Sequence, residues 1–495
     1  MSAPVYRLNP IDRTGAMFGL GGAQVGVLGA GLVLAVVLRS AGVAIGWVAA
    51  PVVVALIGAT VRIGGQPLLE AAPPALAFGL RALAGRRRWL APLGVGQVGD
   101  QPPLPPALAG QTILAVDAIQ AGFAHAGDIA VVHDTKAGRY SASLRVSGGA
   151  FCLAEDHEQA RQVALWAEAQ AAFCTESNPV VAIRWSEWAA PAAMEEQLAW
   201  LAEQGGDADD PAVASYRTFL EAAGPMAARH EVLVSIIIDA KRVAARSRGG
   251  KDRSAAPVEA VMRELRNYAR RLESAGLSVV ALSPGELARA LRLRLDPGAA
   301  AVLDRRARTL GVAAGVVTVA NAGPLATETA WSHWRVDGSF HRSFLVSEWP
   351  RVGVRAAWMA ELVLFGGAVR IVALVAEPVP LRQSRRAIER QATKLASDAE
   401  QRERCGFRVS AAHRRAEAAV AEREEELVAG YAELRYAGLV VVSASSAEAL
   451  DDACVAVGEA ASRVGIELRA LHARHDLAVG ACLPLARSLA PEALA

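Results

Sequence analysis

Hydrophobic and polar residues divide this 495-residue chain into three kinds of segment. The first 64 residues hold two long uncharged runs, 14–38 and 40–61, which are separated by Arg39. After residue 110, runs in which apolar and polar residues alternate are mixed with runs that repeat at the spacing of a helix. Residues 381–437 are rich in charge. The pattern predicts an α+β protein with an N-terminal helical hairpin and a charged helical arm.

The two uncharged runs each have about the length of 20 residues with which an α-helix crosses a bilayer. Only residues 39–42 separate them, and a second run directly after the first argues against a cleaved signal peptide. We therefore expect a two-helix transmembrane hairpin over residues 16–64, preceded by a tail over residues 1–15. Arginines are more frequent on its flanks than in its turn, which predicts a protein of the cell membrane with both termini in the cytoplasm.

Glycine and arginine residues near the hairpin are candidate contact residues. The pairs that would let helix backbones approach closely are Gly22 with Gly26 and Gly42 with Gly46. Residues 65–110 are rich in Pro and Gly and are expected to form a basic linker beside the membrane. The arginines expected to anchor this linker on anionic headgroups are Arg81, Arg86, Arg87 and Arg88.

The chain beyond residue 110 repeats a strand–helix–strand pattern four times. Strands are predicted over 140–146, 180–185, 231–239, 277–282, 369–375, 438–442 and 466–471, and helices over 155–173, 258–274, 354–364 and from Ser445 or Ser446 to near Gly465. The dipeptide Asp337-Gly338 between two alternating runs predicts a β-hairpin. These units favour ferredoxin-like α+β layers with helices on one face of the sheet. The expected parts are 111–300, 301–380 with the hairpin, 381–437 as the charged arm, and 438–495.

The composition narrows the functional classes. The formal net charge is +2, so the chain is not basic all over, and we expect no direct sequence-specific binding of nucleic acid. Apolar residues make up 53% of the chain, which is a high share for a wholly soluble protein. The predicted hairpin would explain this excess. The five cysteines are widely spaced and odd in number, which favours unpaired thiols in a reducing compartment.

Motifs that would support catalysis are missing from the sequence. The fragment nearest to a phosphate-binding loop, 245–252, has Ala245 in place of the first glycine and Asp252 in place of the hydroxyl residue. His472 and His475 lie three residues apart, but no third metal ligand accompanies them. We therefore expect no catalytic residue, no cofactor and no metal.

Four sequence landmarks resemble a known family. They are W-S-H-W-R-V-D-G-S-F-H-R-S-F-L-V-S-E-W-P, which ends at Trp349-Pro350, then Gly406, then E-E-L-V-A-G, which ends at Gly430, and the tripeptide Leu483-Pro484-Leu485. Over most of residues 113–485 the chain resembles the N-terminal region of the conjugative type IV secretion ATPases of the TraC and VirB type. The hairpin resembles a PrgI-type membrane subunit fused ahead of that region, as in an actinobacterial family of conserved membrane proteins.

The resemblance implies a non-catalytic inner-membrane scaffold of a conjugation-like, type IV-like secretion apparatus. In that family a leucine-proline-leucine segment directly precedes the ATPase domain, so residues 483–485 are expected to face a separately encoded motor ATPase. The implied partners are the membrane, this motor and other secretion subunits, in an oligomeric complex. Two alternatives stay open, an EccE-type membrane component of type VII secretion and a membrane-bound enzyme with an unrecognised site.

Overall fold

The computed structural model describes residues 5–6, 8, 22–63, 66–92, 100–124, 126–149, 151–191, 201, 210–223, 228–246, 255–404, 406 and 408–487. The helices are α1 Gly22–Ser40, α2 Ile45–Thr60, α3 Leu68–Leu83, α4 Asp156–Ala171, α5 Pro211–Ala223, α6 Ala240–Arg246, α7 Ala256–Ser274, α8 Pro284–Leu295, α9 Ala299–Leu310, α10 Ala360–Val363, α11 Leu381–Arg404, α12 Ala411–Val428, α13 Ala447–Arg463 and α14 His475–Cys482. The strands are β1 Arg62–Ile63, β2 Gln66–Pro67, β3 Arg88–Leu90, β4 Gln111–Asp117, β5 Asp128–Asp134, β6 Arg139–Ser147, β7 Val180–Pro191, β8 Ala228–Asp239, β9 Ser278–Ala281, β10 Ala326–Thr329, β11 Trp334–Val336, β12 Ser339–Glu348, β13 Val369–Val379, β14 Glu433–Ala444 and β15 Glu467–Ala470.

Helices α1 and α2 form an antiparallel pair. In the part of the chain that the structure describes, no helix combines the length and the apolarity that crossing a membrane would require. The prediction of a transmembrane hairpin in the cell membrane, with both termini in the cytoplasm, is therefore wrong. Helix α2 has 16 residues, or about 24 Å at the rise of an α-helix, against a hydrocarbon core of about 30 Å. Helix α1 is uncharged and apolar only between Gln24 and Arg39.

The segment expected to be a linker contains regular structure that joins the body of the protein. Helix α3 occupies much of it, and β3 pairs antiparallel with β10. Residues 88–90 thus become one end of a large antiparallel sheet whose strands follow the order β3-β10-β11-β12-β14-β13-β7-β8-β6-β5-β4. Strand β15 pairs with β12, and β9 pairs with β6. The chain is an α+β protein.

Two segments of the sheet share one topology. The first is built on β6–α4–β7–β8–α7–β9, with α5 inserted between β7 and β8 and α6 before α7, and its sheet order β9-β6-β8-β7 is the ferredoxin-like arrangement. The second runs β12–α10–β13, then β14–α13–β15, with sheet order β15-β12-β14-β13. The first repeat thus covers residues 139–281 and the second repeat covers residues 339–470.

The registers show that the repeats correspond residue by residue. Leu144 lies opposite both Val234 and Ala281, as Phe344 lies opposite Val440 and Ala470. The equivalent strands β7 and β13 pair antiparallel with each other, and this pairing is centred where Ser186 faces Ala373. The two repeats are therefore related by a local twofold axis through that pair and form one continuous sheet.

Both faces of the sheet are covered by helices, whereas the sequence predicted helices on one face. Side chains of α7 pack on the first repeat and those of α13 pack on the second, in two apolar clusters. On the opposite face a third cluster contains buried residues of α8 and α14, such as Leu291 and Val479, together with Ile371 and Leu439 of the sheet. Helix α8 follows the first repeat and α14 follows the second. They cover the face of the sheet on which the sequence predicted no helices.

Local predictions fared differently along the chain. The hairpin at Asp337-Gly338 is confirmed, since β11 and β12 pair antiparallel on either side of it, and Asp337 has φ 48° in the turn. The start of α13 after Ser446 is also confirmed, because the Ser446 hydroxyl accepts the Ala449 amide. The helix predicted over 354–364 is wrong, since only the short α10 forms there.

Candidate functional site

A helical arm, α11 with α12, is inserted between the central strands β13 and β14. Helix α11 has 24 residues, which corresponds to a length of about 36 Å. The two helices pack on each other through a small apolar cluster of their own, formed by Ile388, Leu395, Val420, Ala392, Ala416 and Leu427. The arm therefore has a core separate from those of the sheet.

The base of the arm is tied to the sheet by Glu433, the first residue of β14. Arg423 of α12 donates to the Glu433 carboxylate at 2.7 Å and to the side-chain amide oxygen of Gln391 in α11 at 3.0 Å. The hydroxyl of Ser384 donates to the same carboxylate. The amide of Arg382 donates to Glu176 at 2.9 Å. One carboxylate thus fixes both helices to a strand in the centre of the sheet.

Exposed apolar side chains lie beside charges at this base. Leu381 is 49% exposed, Val428 is 84% exposed and Tyr431 is 70% exposed. Residues 424–426, which precede Val428, are three exposed glutamates. We call Leu381, Val428 and Tyr431 the base patch. Aromatic and aliphatic anchors next to charges are typical of protein-binding surfaces.

The family-like landmarks lie inside the protein. Trp349 is 7% exposed, and its ring meets those of Tyr436 and Trp358 edge to face at 5.4 and 6.3 Å. Pro350 is buried, and Gly430 ends the arm with φ +97°. These three residues therefore have structural roles in packing and in a turn.

The tripeptide Leu483-Pro484-Leu485 is also buried. Leu483 is 0% exposed and Leu485 is 1% exposed. Arg184 of β7 is fully buried beneath the tripeptide and donates to the carbonyl oxygens of Leu483, Leu485 and Arg487, at 3.0 Å for Leu485. Burial lowers the pKa of Arg184 to about 10. Residues 483–485 are thus core residues of this chain and present no open face to another domain, contrary to the expectation.

Two of the four candidate anchor arginines bind other parts of the chain. Arg81 donates to the Asp476 carboxylate at 3.1 Å and to the carbonyl oxygen of Ala473 at 2.8 Å. Arg88 in β3 pairs with Glu328 at 3.0 Å. Arg86 and Arg87 are exposed, and Arg87 lies over the ring of Phe78 at 5.9 Å.

The candidate packing glycines do not mark the closest approach of α1 and α2. Open space surrounds the position of a Cβ at Gly26, Gly42 and Gly46, and Gly42 has φ +79° in the turn. The side-chain surroundings of Gly22 lie outside the described residues. The close approach falls at Gly31, where a Cβ would lie 2.8 Å from the Cβ of Ala55.

A cleft of about 1610 Å³ opens where the two repeats meet. Trp188 and Val369 contribute to it from the sheet, and α8 and α9 contribute charged residues. Three of these charges are paired: Arg292 binds Asp296 at 3.1 Å and Asp337 at 2.8 Å, and Arg289 binds Asp304 at 3.3 Å. The paired charges hold the wall of the cleft together.

Sequence reasoning missed three buried arginines, Arg184, Arg294 and Arg370. Arg294 of α8 donates to Glu231 at 2.7 Å and lies 5.6 Å from the centre of the Trp188 ring. Arg370 of β13 donates to the carbonyl oxygens of Phe365 and Val363. The available signal was an arginine inside an otherwise apolar strand, at Arg184 and Arg370.

The histidines that are three residues apart, His472 and His475, both contact other residues of the chain. His475 is buried, and its Nδ1 accepts the amide of Ser343 at 3.1 Å, while His472 stacks on Trp331. Among the described residues, no group of three histidine, cysteine or acidic side chains could hold a metal ion. The loop around Lys251 lies outside the described residues. No protein-family model and no curated protein matches the chain.

Proposed function

We propose that this chain is a non-catalytic scaffold that docks a separately encoded motor ATPase through its helical arm. The observation that carries the proposal is the arm itself, a hairpin of about 36 Å with its own core that is fastened to the central strand β14. An element of that kind holds its position without packing on the sheet along its whole length. The motor as partner, within a secretion apparatus, rests on the resemblance of the landmarks.

The base patch supports a docking role because it joins large apolar side chains to an acidic run. Apolar anchors supply most of the affinity in stable interfaces, and the charges around them mainly set orientation and association rate. A stable contact needs about 1,000 Å² in total, which is more than the patch alone provides. The exposed sides of α11 and α12 are therefore expected to contribute the remainder.

The test is co-purification of the full chain with a motor ATPase encoded in the same gene cluster. The double variant Val428→Asp and Tyr431→Asp places charge in the base patch, and we expect it to lower capture at least about tenfold. The matched control is Val312→Asp, which alters an exposed apolar residue outside the arm. Equal capture by both variants would reject docking through the arm, and no capture by the intact chain would reject the scaffold.

A second variant tests the length of the arm. Replacing residues 396–415 with a short glycine-rich turn removes the tip and keeps Ile388, Leu395 and Val420, the buried residues of the arm core. Truncation within β14 would be uninformative, because it would remove a central strand of the sheet. We expect the shortened chain to keep its melting temperature and to bind the motor more weakly.

The non-catalytic part of the proposal is tested by ATP turnover of the purified chain. We expect none, because the sequence lacks a complete phosphate-binding loop. Turnover that is lost in the Lys251→Ala variant would contradict the proposal and assign a phosphate site to the basic loop. Turnover that persists in that variant would contradict it as well and would require another site.

A further inference from the structure

We propose that α3 lies on an anionic lipid surface, with its exposed leucines against the acyl boundary and Arg86 and Arg87 against the headgroups. The proposal is independent of docking through the arm. It concerns peripheral contact by one helix and the turn after it.

The outer side of α3 is a stripe of leucines. Leu76 and Leu80 are each 66% exposed, and Leu83 is 88% exposed. Their spacing of four and three residues places them on one side of the helix. Large apolar side chains that are this exposed at helical spacing mark a contact surface.

The inner side of α3 is held by the body of the protein. Phe78 meets Trp331 edge to face at 5.6 Å, and Arg81 binds Asp476 and the carbonyl oxygen of Ala473. Asp476 is buried and the side chain of Arg81 is 32% exposed, so the ion pair lies at the boundary between the protein interior and solvent. The contacts fix the rotation of the helix, and with it the direction in which the leucines point.

Positive charge follows the stripe directly. The turn after α3 carries Arg86 and Arg87, both exposed, and Leu90 on β3 is 75% exposed. An amphipathic helix with leucines on one side and arginines at its end binds the interface of anionic membranes. Charge complementarity therefore favours an anionic lipid surface over a neutral one.

The test is flotation of the full chain with vesicles of phosphatidylcholine alone and of phosphatidylcholine mixed with phosphatidylglycerol. We expect preferential binding to the anionic vesicles, and a loss of binding as salt is raised. The double variant Arg86→Glu and Arg87→Glu should lower binding to anionic vesicles at least about tenfold. The matched control is Arg305→Glu with Arg308→Glu, a pair of exposed arginines on α9.

The leucine stripe is tested by Leu80→Glu with Leu83→Glu, against the control Leu153→Glu with Val312→Glu at positions that are 88% and 81% exposed. Circular dichroism and melting temperature establish that each variant is folded. Helices α1 and α2 are unchanged throughout, so any binding through them is equal in all chains. Equal binding by test and control variants, or equal binding to both kinds of vesicle, would overturn the proposal. A stable oligomer that the leucine variant dissolves, without vesicle binding, would assign the stripe to a second copy instead.

Discussion

The two repeats stabilise the same face of the sheet with opposite chemistry. At equivalent positions the first repeat has Arg145 and Glu231, and the second has Leu345 and Ala437. Glu231 accepts from Arg145 at 2.9 Å and from Arg294 at 2.7 Å. Leu345 and Ala437 instead belong to a buried apolar cluster. One backbone arrangement thus accommodates either an ion network or an apolar core.

The difference shows where each repeat is vulnerable. Burial by itself raises the pKa of Glu231, but Arg294 and Arg145 hold that pKa below its ordinary value. A buried ion pair is often no more stabilising than well-packed apolar residues, yet the removal of one partner leaves an uncompensated buried charge. The first repeat should therefore be sensitive to single substitutions in this network, and the second repeat should be sensitive to changes of volume.

The largest expected effect is that of Glu231→Ala, which gives the first repeat the residue of the second. Arg294 has a side chain that is 0% exposed and would lose its carboxylate partner. We expect the free energy of unfolding to fall by about 3–5 kcal/mol, measured by urea denaturation. In the double variant Glu231→Ala and Arg294→Leu no unpaired charge remains there, because Arg145 keeps Glu286 at 2.6 Å. A double variant as unstable as the single one would contradict this explanation.

Many of the strands could be predicted from the sequence, but their arrangement in two repeats could not. Each of the seven predicted strands overlaps an observed one, and four of them agree at both ends to within three residues, because alternation of apolar residues is a local signal. The duplication rests on registers between distant strands, such as Leu144 with Val234, and equivalent positions differ as much as Glu231 and Ala437. The apolar N-terminal runs were misassigned because hydropathy does not distinguish a short apolar hairpin from a membrane span.

The candidate sites were predictable only in part. The charged arm is visible in the sequence, whereas its attachment through Glu433 requires the structure. The landmarks Trp349 and Leu483 stand out as residues, but no local pattern shows that they are buried in the core. The pairing of Arg81 with Asp476 joins positions 395 residues apart, beyond the reach of any spacing rule.

The second expected effect is a dependence of stability on pH. The two repeats should lose stability over different ranges of pH. His341 is fully buried where the first repeat has Ser141, and burial lowers its pKa to about 4. The neutral ring donates from Nε2 to the carbonyl oxygen of Leu295 at 2.8 Å and accepts at Nδ1 from Ser443 at 2.8 Å. Its contribution is therefore complete above the unfolded pKa of about 6.5 and is lost as pH falls toward 4.

The expected loss from His341 is about 3 kcal/mol between pH 7 and pH 4, since one pKa unit corresponds to about 1.4 kcal/mol. Glu231 has a lowered pKa, so its contribution is complete above its unfolded pKa of about 4.5 and is lost only as the pH falls below that value. Urea denaturation of His341→Gln at several pH values checks the assignment. A pH dependence that is unchanged in this variant between pH 6.5 and pH 4.5 would refute it.

A smaller effect is expected at Gly438, the counterpart of Val232 in the first repeat. A Cβ at residue 438 would lie 2.9 Å from the ring of Trp349 and 2.7 Å from Val346, so the second repeat needs glycine there. We expect Gly438→Val to lower the free energy of unfolding by about 1–3 kcal/mol through overpacking. In a Trp349→Leu background the same change should cost less, and equal costs in both backgrounds would exclude the ring as the cause.

The smallest effect concerns two strands that lie outside the repeats at corresponding places in the sheet, β4 beyond β5 and β10 beyond β11. Strand β10 pairs on its outer side with β3. The outer side of β4 instead contacts the side chain of Gln101. This side chain donates to the carbonyl oxygen of Ile113 at 2.8 Å and accepts a hydrogen bond from the Ile113 amide at 2.7 Å. The amide side chain thus makes the two hydrogen bonds that a neighbouring strand would make. Because Gln101 is exposed, water can replace it, and we expect Gln101→Ala to cost about 1 kcal/mol.

The matched change on the other edge is Arg88→Ala, which removes an ion pair whose arginine side chain is 78% exposed and leaves the backbone pairing of β3 intact. It should cost less than about 0.5 kcal/mol, and less still at high salt. Amide hydrogen exchange distinguishes the effects at the two edges of the sheet. The amide of Ile113 should exchange faster in Gln101→Ala, while the amides of β10 should be unaffected by Arg88→Ala. Unchanged exchange at Ile113 would mean that the edge of β4 is protected by something other than Gln101.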